Sequence, residues 1–152
     1  MAIFPGSAIP SAVSDYEIEN SLRFDDGDSA YLQKVYPTSG NRLTWTFSCW
    51  SKVTEIGVGP QTLFCGVGES GGRAGWFEWQ TTNEIAFYEY NWSSYQANVK
   101  TTAKYRDPAA WYHAMVVYDS TQATASDRVK IYINGEHTVS YTHLRAHETR
   151  ED

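Results

Sequence analysis

At 152 residues the chain has the length of one domain, and with 41% hydrophobic and 20% charged residues it carries enough apolar material to bury a core. Its formal net charge of −6 argues against nucleic acid or an anionic membrane as the main partner, since both call for a basic patch. No apolar run approaches the roughly 20 residues that cross a bilayer as a helix, and the N-terminus lacks the basic and apolar regions of a signal peptide.

Residues 1–17 hold Pro5, Gly6 and Pro10 among small polar residues, show no periodicity, and are expected as an extended arm. From Ser21 onward the pattern has period two, broken by turn residues, which is the signature of antiparallel strands. The predicted strands begin with 21–24 (Ser-Leu-Arg-Phe), closed by Asp25-Asp26-Gly27-Asp28, and a short 30–32. The clearest is 43–53, with Leu43, Trp45, Phe47, Cys49 and Val53 on one face and Thr44, Thr46, Ser48, Trp50 and Lys52 on the other. Further strands are predicted over 62–67, 75–80, 84–90, 95–102, 111–119 and 128–133. Asn134-Gly135 then marks a tight hairpin, because both positions tolerate positive φ. About nine short strands with no helix between them indicate an all-β antiparallel sandwich. Two cysteines, Cys49 and Cys65, are too few for a disulfide scaffold and are expected as buried free thiols.

Four segments in order carry a resemblance: 21–26 (SLRFDD), 43–52 (LTWTFSCWSK), 111–119 (WYHAMVVYD) and 128–135 (RVKIYING). Together they are similar to the laminin-G/pentraxin branch of the concanavalin-like lectin and glucanase superfamily, which implies a jelly-roll sandwich. The wording of 106–113 and 119–129 further resembles such domains in virion proteins of tailed bacteriophages. That resemblance implies a non-catalytic carbohydrate-binding module on a tail or capsid surface, made in the host cytoplasm. Its partners would be a glycan or other virion subunits. The alternatives are a purely structural decoration domain and a truncated glycoside hydrolase. From about Val139 the sequence resembles a translated sequencing-adapter tail. The expected organisation is therefore an arm over 1–17, a C-terminally truncated sandwich over 18–138 that lacks its closing strand, and a non-native tail over 139–152.

Catalysis is not expected. Glucanases of this fold carry E-x-D-x-x-E on one strand, and the nearest match, Glu78 to Glu84, lacks the Asp and spans a turn. The family's calcium sites make Asp25, Asp26, Asp28 and Asp119 weak candidates for Ca²⁺, a hard cation that takes oxygen ligands. Sugars dock on aromatic faces flanked by polar groups. Alternation places Trp50, Tyr112, Tyr118 and Tyr132 away from the core, and His113 within it. Trp76, Trp79, Tyr88, Tyr90, Trp92 and Tyr95 cluster in the middle hairpins beside Asn91. Trp50, Tyr112, Tyr118, Tyr132, Trp92 and Asn91 are the candidate ligand-binding residues.

Overall fold

A computed structural model of the chain describes residues 20–35, 37–38, 40–67, 74–91 and 93–144, with side chains described as far as Ser140. The chain divides into two units, Met1–Pro37 and Thr38–Asp152.

In the first unit, the predicted strands at 21–24 and 30–32 do not form. Among its described residues the one regular element is a 3-10 turn, Asp26–Asp28. The Asp25 side chain caps it by accepting from the Gly27 N–H at 3.1 Å, and Ser29 closes it at φ 51°. Leu22, Phe24, Tyr31, Leu32 and Val35 are all exposed. Alternation of apolar residues is a local signal, whereas a strand also requires a neighbour to complete its hydrogen-bond ladder.

Among its described residues the second unit holds nine strands. They are β1 (Thr44–Ser51), β2 (Gln61–Val67), β3 (Ala74–Trp79), β4 (Ile85–Tyr90), β5 (Tyr95–Thr101), β6 (Tyr112–Asp119), β7 (Val129–Ile133), β8 (Glu136–His137) and β9 (Val139–Leu144). All pair antiparallel, in a four-stranded sheet ordered β1-β6-β7-β8 and a five-stranded sheet ordered β2-β3-β4-β5-β9. Asn134 and Gly135, at φ 53° and 85°, make the β7–β8 turn as their sequence predicts. The sheet does not end at residue 138: the backbone of β9 lies along β5, with Val139 opposite Thr101 and Leu144 opposite Ala97, so the five-stranded sheet gains an edge strand that the sequence leaves out.

The inner faces of the two sheets share one apolar core. Phe77, Trp79, Ile85, Phe87, Ala97 and Val99 of the larger sheet meet Ala114, Val116, Val129, Ile131 and Ile133 of the smaller. Rings tie the layers together: Trp45 lies edge-on to Phe87 at 5.7 Å, and Phe47 to Phe77 at 6.3 Å.

The placement of β6 corrects the sequence. Both of its faces are apolar, so alternation cannot choose the inner one. Register does: Trp45 stands opposite Tyr118, Phe47 opposite Val116 and Cys49 opposite Ala114, and directly opposed residues share a face. Because Trp45, Phe47 and Cys49 point inward, so do Tyr118, Val116, Ala114 and Tyr112. Tyr118 stacks on Trp45 at 5.2 Å and its hydroxyl donates to Glu89 Oε2 at 3.0 Å, while Tyr112 packs on Trp79 at 5.4 Å. His113, expected in the core, lies instead on the outer face against Trp50, ring to ring at 5.2 Å.

Phe87→Ala, which empties a fully buried ring site at the centre of the five-stranded sheet, should lower unfolding free energy by roughly 3–5 kcal/mol in urea titrations. Hydrogen–deuterium exchange checks the contrast with the first unit: amides of β3 and β4 should be strongly protected, and those of 21–24 should exchange at rates near those of an unstructured peptide.

Candidate binding cleft

The outer face of the five-stranded sheet carries a cleft of about 380 Å³ lined by Trp76, Glu78, Gln80, Tyr88, Tyr90 and Tyr95. That volume lies within the range of small-molecule sites. Alternation along β3 turns Phe77 and Trp79 inward, and therefore Trp76 and Glu78 outward. Along β4, Ile85 and Phe87 go inward and Ala86, Tyr88 and Tyr90 outward. In register, Trp76 lies between Cys65 and Tyr88, and Glu78 between Thr62 and Ala86.

Two register shifts complete the cleft. The first, between Thr62 and Phe64, lets Phe64 point inward, where it stacks on Phe47 at 4.8 Å, while Thr62 faces out beside Glu78. The second lies where β4 meets β5. Ala97 and Val99 are buried, so strict alternation would send Tyr95 inward. The shift between Glu89 and Tyr90 instead sets Tyr95 opposite Tyr90 on the outer face. Its ring centroid lies 5.2 Å from that of Tyr90 and 5.7 Å from that of Tyr88. Bulges re-aim side chains in this way beside functional sites.

The polar groups are held in place. The Glu78 carboxylate accepts from Gln80 Nε2 at 2.8 Å and from Thr62 Oγ1 at 3.3 Å. Lys100 Nζ stands 5.7 Å from the centre of the Tyr88 ring. Burial pushes the Tyr88 phenol from its ordinary 10.0 up to about 12, with the negative charge of Glu78, of ionised Tyr95 and of Glu84 adding to the effect. Cys65, expected as buried, is exposed on this face, and the partial desolvation of its thiol, then the neighbouring Glu78, raise its pKa. Cys49 is half-buried and faces the interior.

The residues singled out in the sequence fall in different places. Tyr112 and Tyr118 lie on the inner face, partly buried against the core rather than on the outer surface of the sheet. Trp50, 57% exposed, and Tyr132, which packs against His137 at 5.2 Å, lie on the outer face of the four-stranded sheet, away from the cleft. Trp92 lies outside the described residues. Asn91 organises the β4–β5 turn: its Oδ1 accepts from Ser94 N–H at 3.0 Å and from Ser93 Oγ at 3.2 Å, so it positions Tyr90 and Tyr95 from the turn between them. Gln80 carried no sequence signal, and Trp76, Tyr88, Tyr90 and Tyr95 were legible only as a cluster of rings.

The calcium candidates are likewise engaged locally. Asp119 Oδ1 accepts from Thr121 Oγ1 at 2.6 Å and from its N–H at 3.0 Å, and Oδ2 accepts from Gln122 Nε2 at 2.7 Å. The Thr121 hydroxyl above all, then the Gln122 amide, hold this carboxyl below its usual pKa. Asp25 caps its own turn, and Asp26 and Asp28 are exposed within it. Among the described residues no group of three or more His, Cys, Asp or Glu side chains is gathered as metal ligands.

A family model described as the concanavalin A-like lectin/glucanases superfamily, of laminin-G type, matches residues 25–151. The chain belongs to that superfamily. No curated protein matches this superfamily member, and no solved structure does. Membership accounts for the two antiparallel sheets over one core. The chemistry has to be read from the cleft, because one fold hosts many functions.

Tyr88 supplies a pH test. Its folded pKa exceeds its unfolded value, so the folded state keeps its proton longer. The resulting contribution to stability is fully present below pH 10.0 and is lost as pH rises toward about 12. Wild type should therefore lose more stability than Tyr88→Phe across that alkaline window and match it below, as followed by urea unfolding at stepped pH.

Proposed function

We propose that this chain is a non-catalytic carbohydrate-binding module whose ligand lies in the cleft on the five-stranded sheet. The observation that carries this reading is the convergence of Trp76, Tyr88, Tyr90 and Tyr95 around a hydrogen-bonded carboxylate and amide, Glu78 and Gln80. Apolar sugar faces pack on such rings, and hydroxyls find partners in fixed acceptors and donors. Superfamily membership favours the same class of ligand. Against hydrolysis, glycosidases that use paired carboxylates set them about 5–10 Å apart across the scissile bond, and among the described lining residues Glu78 is the one carboxylate. Glu84 is tied to Lys104 at 3.3 Å.

A place on a virion surface rests on the wording of two sequence segments. Exposed Trp50 beside His113, on the far sheet, suits the second reading, in which the domain packs against neighbouring subunits. The readings separate by mutation. Trp76→Ala should reduce oligosaccharide affinity about tenfold or more in calorimetry, the effect expected for losing a principal ring contact, while Trp50→Ala leaves it unchanged. Bound sugar should also slow alkylation of Cys65, which stands opposite Trp76 at the cleft edge. Loss of sugar binding in Trp50→Ala with Trp76→Ala intact would move the site to the other sheet.

A further inference from the structure

Among the described residues that line the cleft, one carries a formal charge, the Glu78 carboxylate. Glu78 accepts through both oxygens, and Gln80 spends one amide hydrogen on it, keeping its second N–H and its carbonyl. Around them stand the faces of Trp76, Tyr88, Tyr90 and Tyr95, whose π-clouds are negative. No Lys or Arg is among the described residues that line it. One cation already uses this surface: Lys100 Nζ lies 5.7 Å from the Tyr88 ring centre. The Tyr88 phenol is pushed up first by burial and only then by the negative charge of Glu78, Tyr95 and Glu84.

Resting on the carbohydrate-binding reading above, we infer that the preferred ligand is a saccharide bearing a free ammonium group, seated among the four rings with Glu78 as its counter-ion. An ammonium brings a positive charge and three donors, which match a carboxylate set among ring faces. A hydroxyl in the same place leaves the Glu78 charge uncompensated. An acetamido group likewise brings no charge to set against that carboxylate. A uronic or sialic acid sets one carboxylate against another with no lining cation between them. The net charge of −6 acts in the same direction at long range.

The test uses the full chain and a matched series of β-1,4-linked oligosaccharides that differ at C2: hydroxyl in cello-oligosaccharides, acetamido in chitin oligosaccharides and ammonium in chitosan oligosaccharides. Titration calorimetry at mildly acidic pH and low salt should show the ammonium series binding about tenfold more tightly than the other two. That preference should shrink as salt is raised, because the charge pair is screened. Glu78→Gln should abolish the preference, so that within this variant the ammonium series binds no more tightly than the hydroxyl and acetamido series, as expected when charge is removed and shape kept. Equal or tighter binding of the hydroxyl or acetamido series overturns the inference and leaves the carbohydrate reading standing. Binding of none of the three overturns both. Oligolysine binding as tightly as the ammonium series overturns the choice of a saccharide. If Glu78→Gln lowers Tm, the wild-type preference and its salt dependence decide the matter without it.

Discussion

The pairing of β1 with β6 is the constraint on which the rest of the sandwich depends. Residues directly opposed in antiparallel strands share a face, so once Trp45, Phe47 and Cys49 turn inward, Tyr118, Val116 and Ala114 must follow. A slip of one residue would carry His113 and Met115 into the core and strand Tyr112 and Tyr118 in water. Stacking of Trp45 on Tyr118, and the hydrogen bond from Tyr118 to Glu89 on the other sheet, secure this register and join the layers. With the inner faces committed, the outer faces follow, including the one that carries the cleft.

The cleft is built where the two sheet ladders in it break rule. Regular alternation supplies Trp76, Glu78, Tyr88 and Tyr90, because Phe77, Trp79, Ile85 and Phe87 are claimed by the core. The shift near Thr62 brings a hydroxyl to Glu78, and the shift near Tyr90 turns Tyr95 outward. In each case the inserted residue lets one strand satisfy the core and still send a neighbouring side chain to the opposite surface.

The distribution of carboxylates separates scaffold from site. Asp25 and Asp119 close turns with their own neighbours, Glu84 pairs with Lys104, and Glu89 takes the Tyr118 hydroxyl between the sheets. Glu78 is different, since its partners Thr62 and Gln80 orient it while it remains at the cleft among rings. In the proposed reading that oriented charge beside aromatic faces serves recognition, and glycoside hydrolysis by a carboxylate pair would call for a second carboxylate at the cleft.

The sequence alone determined the all-β class, the strands from Thr44 to Ile133, the Asn134-Gly135 turn and the inward set on β1, because these depend on local alternation and backbone preference. It also marked the middle hairpins as rich in rings. It could not decide which face of β6 lies inside, since Tyr112–Tyr118 and His113–Val117 are both apolar and only the opposing strand breaks the tie. It overrated 21–24, where alternation exists but no ladder forms, and it ended the larger sheet before Val139–Leu144, whose pairing along β5 is non-local. Tyr95 is the sharpest case. Its position in the cleft follows from an irregularity in the ladder between two strands, and the identity of one residue carries no record of how many residues stand opposite it.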